Sequence, residues 1–343
     1  MNAPVSRLTA APRIAVIVPA YGVAHLLGEA LDSVLAQTYD EWECWVIDDG
    51  APDEVASAAA PYLADPRIRF LETANGGVAC ARNRAIARAK APYVALLDGD
   101  DLLRPRYLEQ MVAALDADPD ARVVTCNARM FGALPRERFC ASAMQRAGGN
   151  RTGTLAEVLD RRFNIYIGSA FRRADWERAG GFDETMTHCE DFDFWVRLLL
   201  AGGHALYLDE VLGEYRVRPS SASASGEKMI RGLLHTYEKV LPRLAGRPEA
   251  DVARAMIARE RAELEFEWAV DRVLAGDTVA GLASLRHARG SAGGLAWPAA
   301  LALWNLFPAL AAPMLRRRRD AYSRRVAAAE VPPLAARPTE MAA

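Results

Sequence analysis

"IAVIVPAYGVAHLLGEALDSVLAQTYDEWECWVIDDG", residues 14–50, places a helical pattern between two short apolar runs. Four apolar side chains of the middle part recur at helical spacing: Leu27, Leu31, Val34 and Leu35. The alternation continues to about Leu97, and such a rhythm predicts a mostly parallel sheet flanked by helices on both faces. We therefore expect an α/β, Rossmann-like fold that binds its ligands at the carboxyl ends of the strands.

The composition is that of an ordinary globular protein. Of 343 residues, 51% are apolar and 25% charged, and 42 basic against 44 acidic side chains give a net charge of -2. This balance argues against a global attraction to nucleic acid. The five cysteines lie far apart without CxxC spacing, which fits neither a zinc site nor a disulfide framework. We expect a reducing, cytoplasmic compartment.

The chain divides by pattern into three parts. Residues 1–12 lack an apolar core of signal-peptide length and are predicted to be a disordered lead-in. Residues 13–223 carry the alternation of strands and helices, and the runs "IYIGSAF", "ALYLDE" and "VLGEYRV" are predicted to be three further strands of this part. Residues 224–343 follow a Ser-rich linker and show helical period only, which predicts an all-helical C-terminal extension.

The extension contains a candidate membrane-associated segment. Residues 294–315 carry no charge and are followed by Arg316–Arg319. The length permits a span, but three prolines interrupt it, and Trp297 and Trp304 suit an interface. The pattern favours peripheral membrane contact through 294–319 over a buried pair of core helices. A helix that spans the membrane is the least favoured of the three interpretations.

Three carboxylates, Asp98, Asp100 and Asp101, follow the apolar run "YVALL". On a continuing strand Asp98 and Asp100 share one face, and Gly99 lets another group approach the backbone closely. Two such carboxylates resist joint ionisation unless a cation compensates them, and hard oxygen ligands favour Mg²⁺ or Mn²⁺. The alternative is an Asp-rich turn in which Asp101 caps the following segment.

Two further features are expected at the same edge of the sheet. Asp48 and Asp49 end another apolar run, and "NGGVACARNRAI" leads two glycines into a helix with Arg82 near its first turns. A Gly-rich loop before a helix and an arginine suit phosphate. Taken alone, the glycines are a common helix start and Arg82 is equally explained as a solvated surface residue.

The segment "THCEDFDFWVRLL", residues 187–199, predicts a helix with one buried apolar face. Thr187 and Glu190 fit a capping box, which gives Glu190 a structural explanation. Asp191 lies in the first turn, where the helix dipole favours an acid and keeps it ionised near neutral pH, as a general base toward a hydroxyl requires. From this helix alone, the structural and the catalytic interpretation of Asp191 are balanced.

Seven motifs follow one another along residues 13–223: "VIVPAYG" (16–22), "DDG" (48–50), "NGGVACARN" (75–83), "LLDGDD" (96–101), "GGFDE" (180–184), "EDFDFWVRL" (190–198) and "YRVRPSSAS" (215–223). Their order resembles that of the family 2 inverting glycosyltransferases of GT-A fold, which use nucleotide-activated sugars. The resemblance covers about two thirds of the chain. It implies a GT-A domain over 13–223.

The resemblance implies roles for the matching residues. Those expected around the nucleotide are Pro19, Ala20, Tyr21, Asp49, Arg82 and Asp98. Asp100 resembles the acid that holds the metal, Mn²⁺ or Mg²⁺, and Asp191 the catalytic base. The implied reaction is a single inversion, in which Asp191 deprotonates an acceptor hydroxyl whose oxygen attacks the anomeric carbon.

Two departures from the family pattern are visible. Ala51 and Pro52 follow "DDG" where a serine is usual, and Arg218 stands where a histidine is frequent, so Arg216 or Arg218 would neutralise phosphate instead. The QxxRW signature of processive synthases is missing, which favours transfer of a single sugar.

The implied protein is a hexosyltransferase-type, metal-dependent enzyme with a UDP-sugar as default donor. Its acceptor would be a hydroxyl in surface polysaccharide, lipopolysaccharide or glycolipid assembly, reached at the inner face of the cell membrane. Three alternatives remain: a nucleotidyltransferase, a non-catalytic nucleotide-sugar-binding protein, and a helical adaptor that uses only residues 227–343. The first is weakened because no Lys or Arg occurs in "PAYGVAHLLGEALDS".

Overall fold

The computed structural model describes residues 11–134, 138–218, 226–287 and 296–317. The described strands are β1 (Ile14–Ala20), β2 (Trp42–Asp49), β3 (Ile68–Thr73), β4 (Tyr93–Leu96), β5 (Leu102–Leu103), β6 (Ala121–Gly132), β7 (Arg138–Phe139), β8 (Arg151–Gly153), β9 (Ala170–Arg172) and β10 (His204–Val217). The described helices are α1 (Ala24–Leu35), α2 (Val55–Ala59), α3 (Val78–Ile86), α4 (Tyr107–Ala117), α5 (Leu155–Leu159), α6 (Arg173–Ala179), α7 (Glu190–Leu200), α8 (Gly226–Val240), α9 (Glu249–Leu274), α10 (Thr278–His287) and α11 (Ala296–Leu306).

The strands form one mixed sheet in the order β3-β2-β1-β4-β9-β6-β10-β5, with β7 on β6 and β8 on β10. The first four strands are parallel, whereas β9 pairs antiparallel with both β4 and β6. The predicted α/β class, with a Rossmann-like parallel part and a helical C-terminal region, is confirmed. The antiparallel strands β6, β9 and β10 follow Leu97 in the sequence, where the alternation of strands and helices that predicted the parallel half ends.

The parallel strands are buried almost throughout, which explains why they read as continuous apolar runs. Residues Ile14 to Val18 of β1 are each 0% exposed. The register pairs Ala20 with Asp48 and Ile17 with Leu96. The carboxyl ends of β1, β2 and β4 therefore meet at one edge, as the sequence predicted.

Two strand predictions need correction in the second half of the sheet. The run "IYIGSAF" was predicted to be a strand, but β9 begins only at Ala170. The runs "ALYLDE" and "VLGEYRV" were predicted to be separate strands, but they form the single 14-residue strand β10. The two runs, residues 205–210 and 211–217, are contiguous in the sequence, so no loop separates them.

The described residues fall into two compact units. The first takes those up to Arg129 together with Phe139–Tyr215 and Gly226–Arg261, and the second takes the others, mainly from residue 262 onward. The core of the second unit is formed by Phe266, Ala269, Val270, Val273, Leu282, Leu285, Trp304, Ala311 and Leu315. The predicted domain boundary at 223 stays a prediction, and the lead-in 1–10 and the Ser-rich residues 219–225 lie outside the described part of the chain.

The expectation that Trp297 and Trp304 face a membrane interface is wrong. Trp304 is 3% exposed, and Trp297 packs against the core of the second unit with its ring 5.5 Å from that of Trp304. None of the helices that the structure describes is both long and apolar enough to cross a bilayer.

Candidate functional site

The candidate site begins where β1 and β4 end. Gly99 follows β4 and packs against the last residues of β1: a Cβ added to it would lie 3.1 Å from the carbonyl oxygen of Pro19 and 3.0 Å from Val23 Cγ2. This close approach brings Asp98 and Asp100 beside Pro19 and Ala20. Tyr21, the next residue, is 54% exposed.

The acids that end β2 hold the neighbouring loops. Asp49 is 3% exposed, and its two carboxylate oxygens accept from the backbone N–H of Gly76 at 2.9 Å and of Gly77 at 2.8 Å. Asp48 accepts from the N–H of Ala51 at 2.8 Å. Asp49 therefore fixes the glycine loop that leads into α3, and its contact with a ribose stays a prediction.

A further acid, Asp53, supports the loop after β1. Its carboxylate accepts from the N–H of Gly22 at 2.9 Å and from that of Ala24 at 2.6 Å. Both amides belong to the start of α1, which lacks a side-chain cap of its own. Asp53 thus supplies that cap from a distant part of the chain and fixes the backbone beside Tyr21.

Arg82 is the buried centre of the site. Its side chain is 2% exposed, and it donates from Nη2 to Asp98 Oδ1 at 2.7 Å and from Nη1 to Glu190 Oε1 at 2.6 Å. Burial alone would lower the pKa of Arg82, but Asp98 and Glu190 raise it above its usual value. The predicted contact of Arg82 with the base or diphosphate stays a prediction. In this structure both terminal nitrogens are bonded to carboxylates.

Glu190 was missed as a site residue because a capping box explained it. That capping box is wrong: α7 begins at Glu190 itself, its N-cap residue is Cys189, and no side chain caps it. Cys189 has a φ of 60°, a left-handed conformation that costs a non-glycine residue of order 1 kcal/mol or more. The turn before α7 is therefore held by its surroundings, and Glu190 is held by Arg82.

Asp191 differs from its neighbours in having no cationic hydrogen-bond partner. Within the described part of the chain, the bond made by its carboxylate is the one that it accepts from the N–H of Phe192 at 2.8 Å. Burial, and then the charge of Glu190, raise the pKa of Asp191 from 3.8 to about 7, although Arg82 opposes this. The expectation that the helix dipole sets the ionisation of Asp191 is corrected, because burial and Glu190 outweigh it and raise the pKa to about 7. Such a group accepts a proton efficiently near pH 7.

The residues after β4 suit a divalent ion that brings other ligands with it. Asp98 is 30% exposed with one oxygen bonded to Arg82, and Asp100 is half-buried two residues later. Asp101 is 1% exposed and accepts from the Tyr166 hydroxyl at 3.4 Å, so it belongs to the protein interior. The described residues contain no group of three or more metal-ligating side chains. One or two carboxylates fit Mg²⁺ or Mn²⁺ bound to a diphosphate, and they do not fit a complete protein shell.

Helix α8 packs directly on the turn that carries Glu190 and Asp191. A Cβ added to Gly232 would lie 2.5 Å from the carbonyl oxygen of His188 and 3.1 Å from Cys189 Cβ. The thiol of Cys189 donates to the carbonyl oxygen of Met229 at 3.4 Å. Gly is unfavourable inside a helix by about 1 kcal/mol relative to Ala, so its use here reflects this close approach.

An ion-pair cluster ties the same helix to the other side of α7. Lys239 of α8 contacts Asp183 at 2.5 Å and Asp193 at 2.9 Å, and Asp193 also pairs with Arg197 at 2.7 Å. Burial opposes ionisation of Asp183, but the hydrogen bonds from Lys239 and Thr185 hold its pKa well below the usual value. These contacts make α8 part of the support of α7.

Arg216 and Arg218, the remaining predicted phosphate ligands, are assigned to the second compact unit. Arg216 stacks over the ring of Phe131 at 4.5 Å, and both residues belong to the second unit. Tyr215 packs edge-on against Tyr166 with ring centroids 6.2 Å apart. Neutralisation of phosphate by Arg216 or Arg218 stays a prediction.

Comparison with known proteins agrees with this architecture. The sequence model described as Glycosyl transferase family 2 matches residues 15–178. A protein of Bacillus subtilis (strain 168) named as a teichuronic acid biosynthesis glycosyltransferase, TuaG, is 28% identical over 67% of this chain and 88% of its own length. The chain spans 24%, 62% and 66% of the length of the first curated relatives that it matches.

Two solved structures share the fold. TarS of S. aureus in complex with UDP-GlcNAc superposes with a TM-score of 0.60 at 19% identity, covering 74% of this chain and 71% of that one. A mannosyltransferase from Pyrobaculum calidifontis, PcManGT, in complex with GDP-Man and Mn²⁺, gives a TM-score of 0.55 at 22% identity, covering 93% and 87%. The GT-A fold predicted from the sequence is thus confirmed.

Proposed function

Because the chain belongs to the family 2 glycosyltransferases, we propose that it transfers one sugar from a nucleotide-diphosphate sugar to an acceptor hydroxyl with inversion. The observation that supports this proposal most directly is Asp191, a carboxyl with a pKa of about 7 beside the buried Arg82 and its two acidic partners. A group of that pKa is a suitable general base at neutral pH. A non-catalytic sugar-binding protein would have no use for it.

We propose that the nucleotide binds over the carboxyl ends of β1, β2 and β4, where ligands of parallel sheets bind. Pro19, Ala20 and Tyr21 contribute the wall beside the base, and Asp49 and Asp98 lie toward the ribose. Arg82, which pairs with Asp98 in the structure, would face the base or the diphosphate. The default donor is a UDP-sugar, in keeping with UDP-GlcNAc in the TarS complex.

In the reaction, Asp191 takes the proton of the acceptor hydroxyl as its oxygen forms a bond to the anomeric carbon. The bond from that carbon to the diphosphate oxygen breaks on the opposite side, so the configuration inverts. Asp100 would hold Mn²⁺ or Mg²⁺, which supplies positive charge for the leaving diphosphate when bound. The Mn²⁺ of the PcManGT complex supports this assignment.

The acceptor that we propose is a growing surface polysaccharide, lipopolysaccharide or glycolipid, since TuaG is named for the synthesis of such a polymer. The lipid-linked forms of these acceptors place the enzyme at the inner face of the cell membrane, with peripheral contact through 294–319. The absence of a QxxRW signature from the sequence supports the transfer of a single sugar over polymerisation.

Thermal-shift screening of UDP and GDP with and without Mn²⁺ tests donor binding. A ligand that binds only the folded state at about 100 times its Kd stabilises by about 2.7 kcal/mol, so the melting temperature must rise. We expect the rise to depend on Mn²⁺ in the wild type and to lose that dependence in Asp100→Asn. The lack of a shift with any nucleoside diphosphate would contradict the proposal.

A further inference from the structure

Large apolar side chains are exposed along the last described part of the chain. They are Leu303 (36% exposed), Leu306 (75%), Phe307 (57%), Leu310 (43%) and Met314 (42%), which we call the apolar face. They span the end of α11, the short 3-10 helix Pro308–Leu310 and the helical residues 311–317. Their positions follow Leu303 by 3, 4, 7 and 11 residues. The helix is interrupted at Phe307, so it is the measured exposure of these five side chains, and not their spacing, that defines the apolar face.

The other side of the same segment is fixed to the protein. Trp304, Ala311 and Leu315 are at most 3% exposed and belong to the core of the second unit. Trp304 Nε1 also donates to the sulfur of Met314 at 3.2 Å. The apolar face is therefore carried by a packed element and is not merely the surface of a loose tail.

The stretch of sequence that carries the apolar face, between Asp277 and Asp320, has charged residues of one sign. From residue 278 to 319 the sequence contains six arginines and no Asp or Glu. Of these arginines, Arg286 donates to Asn305 in α11, Arg316 donates to the carbonyl oxygen of Leu274 at 3.2 Å, and Arg317 is exposed. An apolar stripe bordered by arginines matches the interface of an anionic bilayer, which offers acyl chains next to negative headgroups.

We propose that the apolar face docks on the surface of an anionic phospholipid bilayer, with Leu306 and Phe307 inserted among the acyl chains and Arg316 and Arg317 against the headgroups. This rests on the membrane contact of the proposed function and identifies the residues that make it. The tryptophans, which the sequence suggested as anchors, are instead the inner support.

A second copy of the chain is a less suitable occupant of this surface. Pairing the apolar face with itself would place two sets of arginines in one interface with no Asp or Glu from residues 278–319 to offset them, and like charges in an interface are destabilising. A bilayer that contains anionic lipid avoids this repulsion and is attracted by each arginine near its surface.

The test is co-sedimentation of the full chain with vesicles, without donor or acceptor, so that the result is independent of sugar transfer. One set of vesicles is phosphatidylcholine alone, and the other contains about one third phosphatidylglycerol. We expect the wild type to bind the anionic vesicles and to be released by salt, and the double variant Leu306→Glu, Phe307→Glu to bind at least about 100-fold more weakly.

The matched control combines Leu35→Glu with Leu63→Glu and so introduces the same two charges at leucines that are 39% and 43% exposed in the first unit. It should bind as the wild type does. The thermal shift by nucleoside diphosphate should be unchanged in the double variant, which shows that the sheet domain is folded.

Three results would overturn the inference. The first is failure of the wild type to bind anionic vesicles, and the second is binding by the double variant equal to that of the wild type. The third is a concentration-dependent dimer in sedimentation velocity that disappears in the double variant, without vesicle binding by the wild type. This last result would identify the apolar face as a contact between two copies of the chain.

Discussion

Replacing Asp191 with Asn should abolish transfer and, at the same time, stabilise the protein above neutral pH. The first effect follows from the loss of the base, for which we expect a fall in kcat of about 10²- to 10⁴-fold. The second follows from the pKa of about 7, because a carboxyl that is protonated in the folded state opposes folding once the pH forces it to ionise. A purely structural acid at a helix start would give the opposite sign of stability change.

The size of the stability change follows from the difference between the pKa of Asp191 in the unfolded chain, 3.8, and its pKa in the folded protein, about 7. At 1.36 kcal/mol for each pKa unit it is about 4 kcal/mol, and screening at the partly exposed side of the carboxyl reduces it to about 2 to 4 kcal/mol. The penalty is absent below the unfolded pKa near 3.8, grows as the pH rises, and is complete above about pH 7. The melting temperature of Asp191→Asn should therefore exceed that of the wild type by roughly 4 to 8 °C at about pH 8.

The assay pairs release of nucleoside diphosphate in the presence of acceptor with melting curves between about pH 4 and pH 8. The control is Asp183→Asn, the same change at a carboxyl whose pKa lies below the usual value because of Lys239 and Thr185. That control should lower the melting temperature at high pH. Transfer by Asp191→Asn within tenfold of the wild type would refute its role as base, and an unchanged or lower melting temperature at about pH 8 would refute the pKa argument.

Two further predictions concern the support of the base. Glu190→Gln removes a charge that raises the pKa of Asp191. The pH midpoint at which kcat rises should therefore move below about 7. An unchanged midpoint would show that Glu190 does not act on Asp191. Gly232→Ala places a Cβ 2.5 Å from the carbonyl oxygen of His188, so it should lower kcat with little change in donor Kd and destabilise by about 1 to 3 kcal/mol. Its control is Gly226→Ala, where nothing lies within 4 Å of the added Cβ; equal losses in both variants would contradict the packing argument.

The parallel half of the fold was predictable because its signal is local. Each strand and helix from β1 to β4 has its own period, and parallel pairing of strands joined by helices places their carboxyl ends together. The rule predicted that the acids after β2 and β4 share one edge of the sheet, as the register of β1 with β2 and β4 shows. The antiparallel half offered no comparable rule, since the described residues between β6 and β9 form only short elements and β9 runs antiparallel to both of its neighbours.

The role of Glu190 could not be predicted from the sequence, because its ion-pair partner lies far away along the chain. Arg82 lies 108 residues earlier in the chain, whereas the apparent capping residue Thr187 lies three residues away. Local spacing favoured the near explanation, and the helix start at a left-handed Cys189 has no sequence signal. Similarly, an uncharged segment rich in alanine carries no polar face, so nothing in residues 294–315 indicated that Trp304 turns inward and Phe307 outward.

The site shows how a cluster of acids is tolerated in a folded protein. Asp98, Glu190 and Asp191 would together carry three negative charges against the single positive charge of Arg82. Arg82 neutralises part of this excess through two short ion pairs, and a proton on Asp191 removes another charge near neutral pH. Arg82 donates to Asp98 and to Glu190, whereas Asp191 has no cationic hydrogen-bond partner among the described residues, and burial together with the charge of Glu190 raises its pKa. Asp191 is therefore the carboxyl that we propose takes the proton of the acceptor hydroxyl.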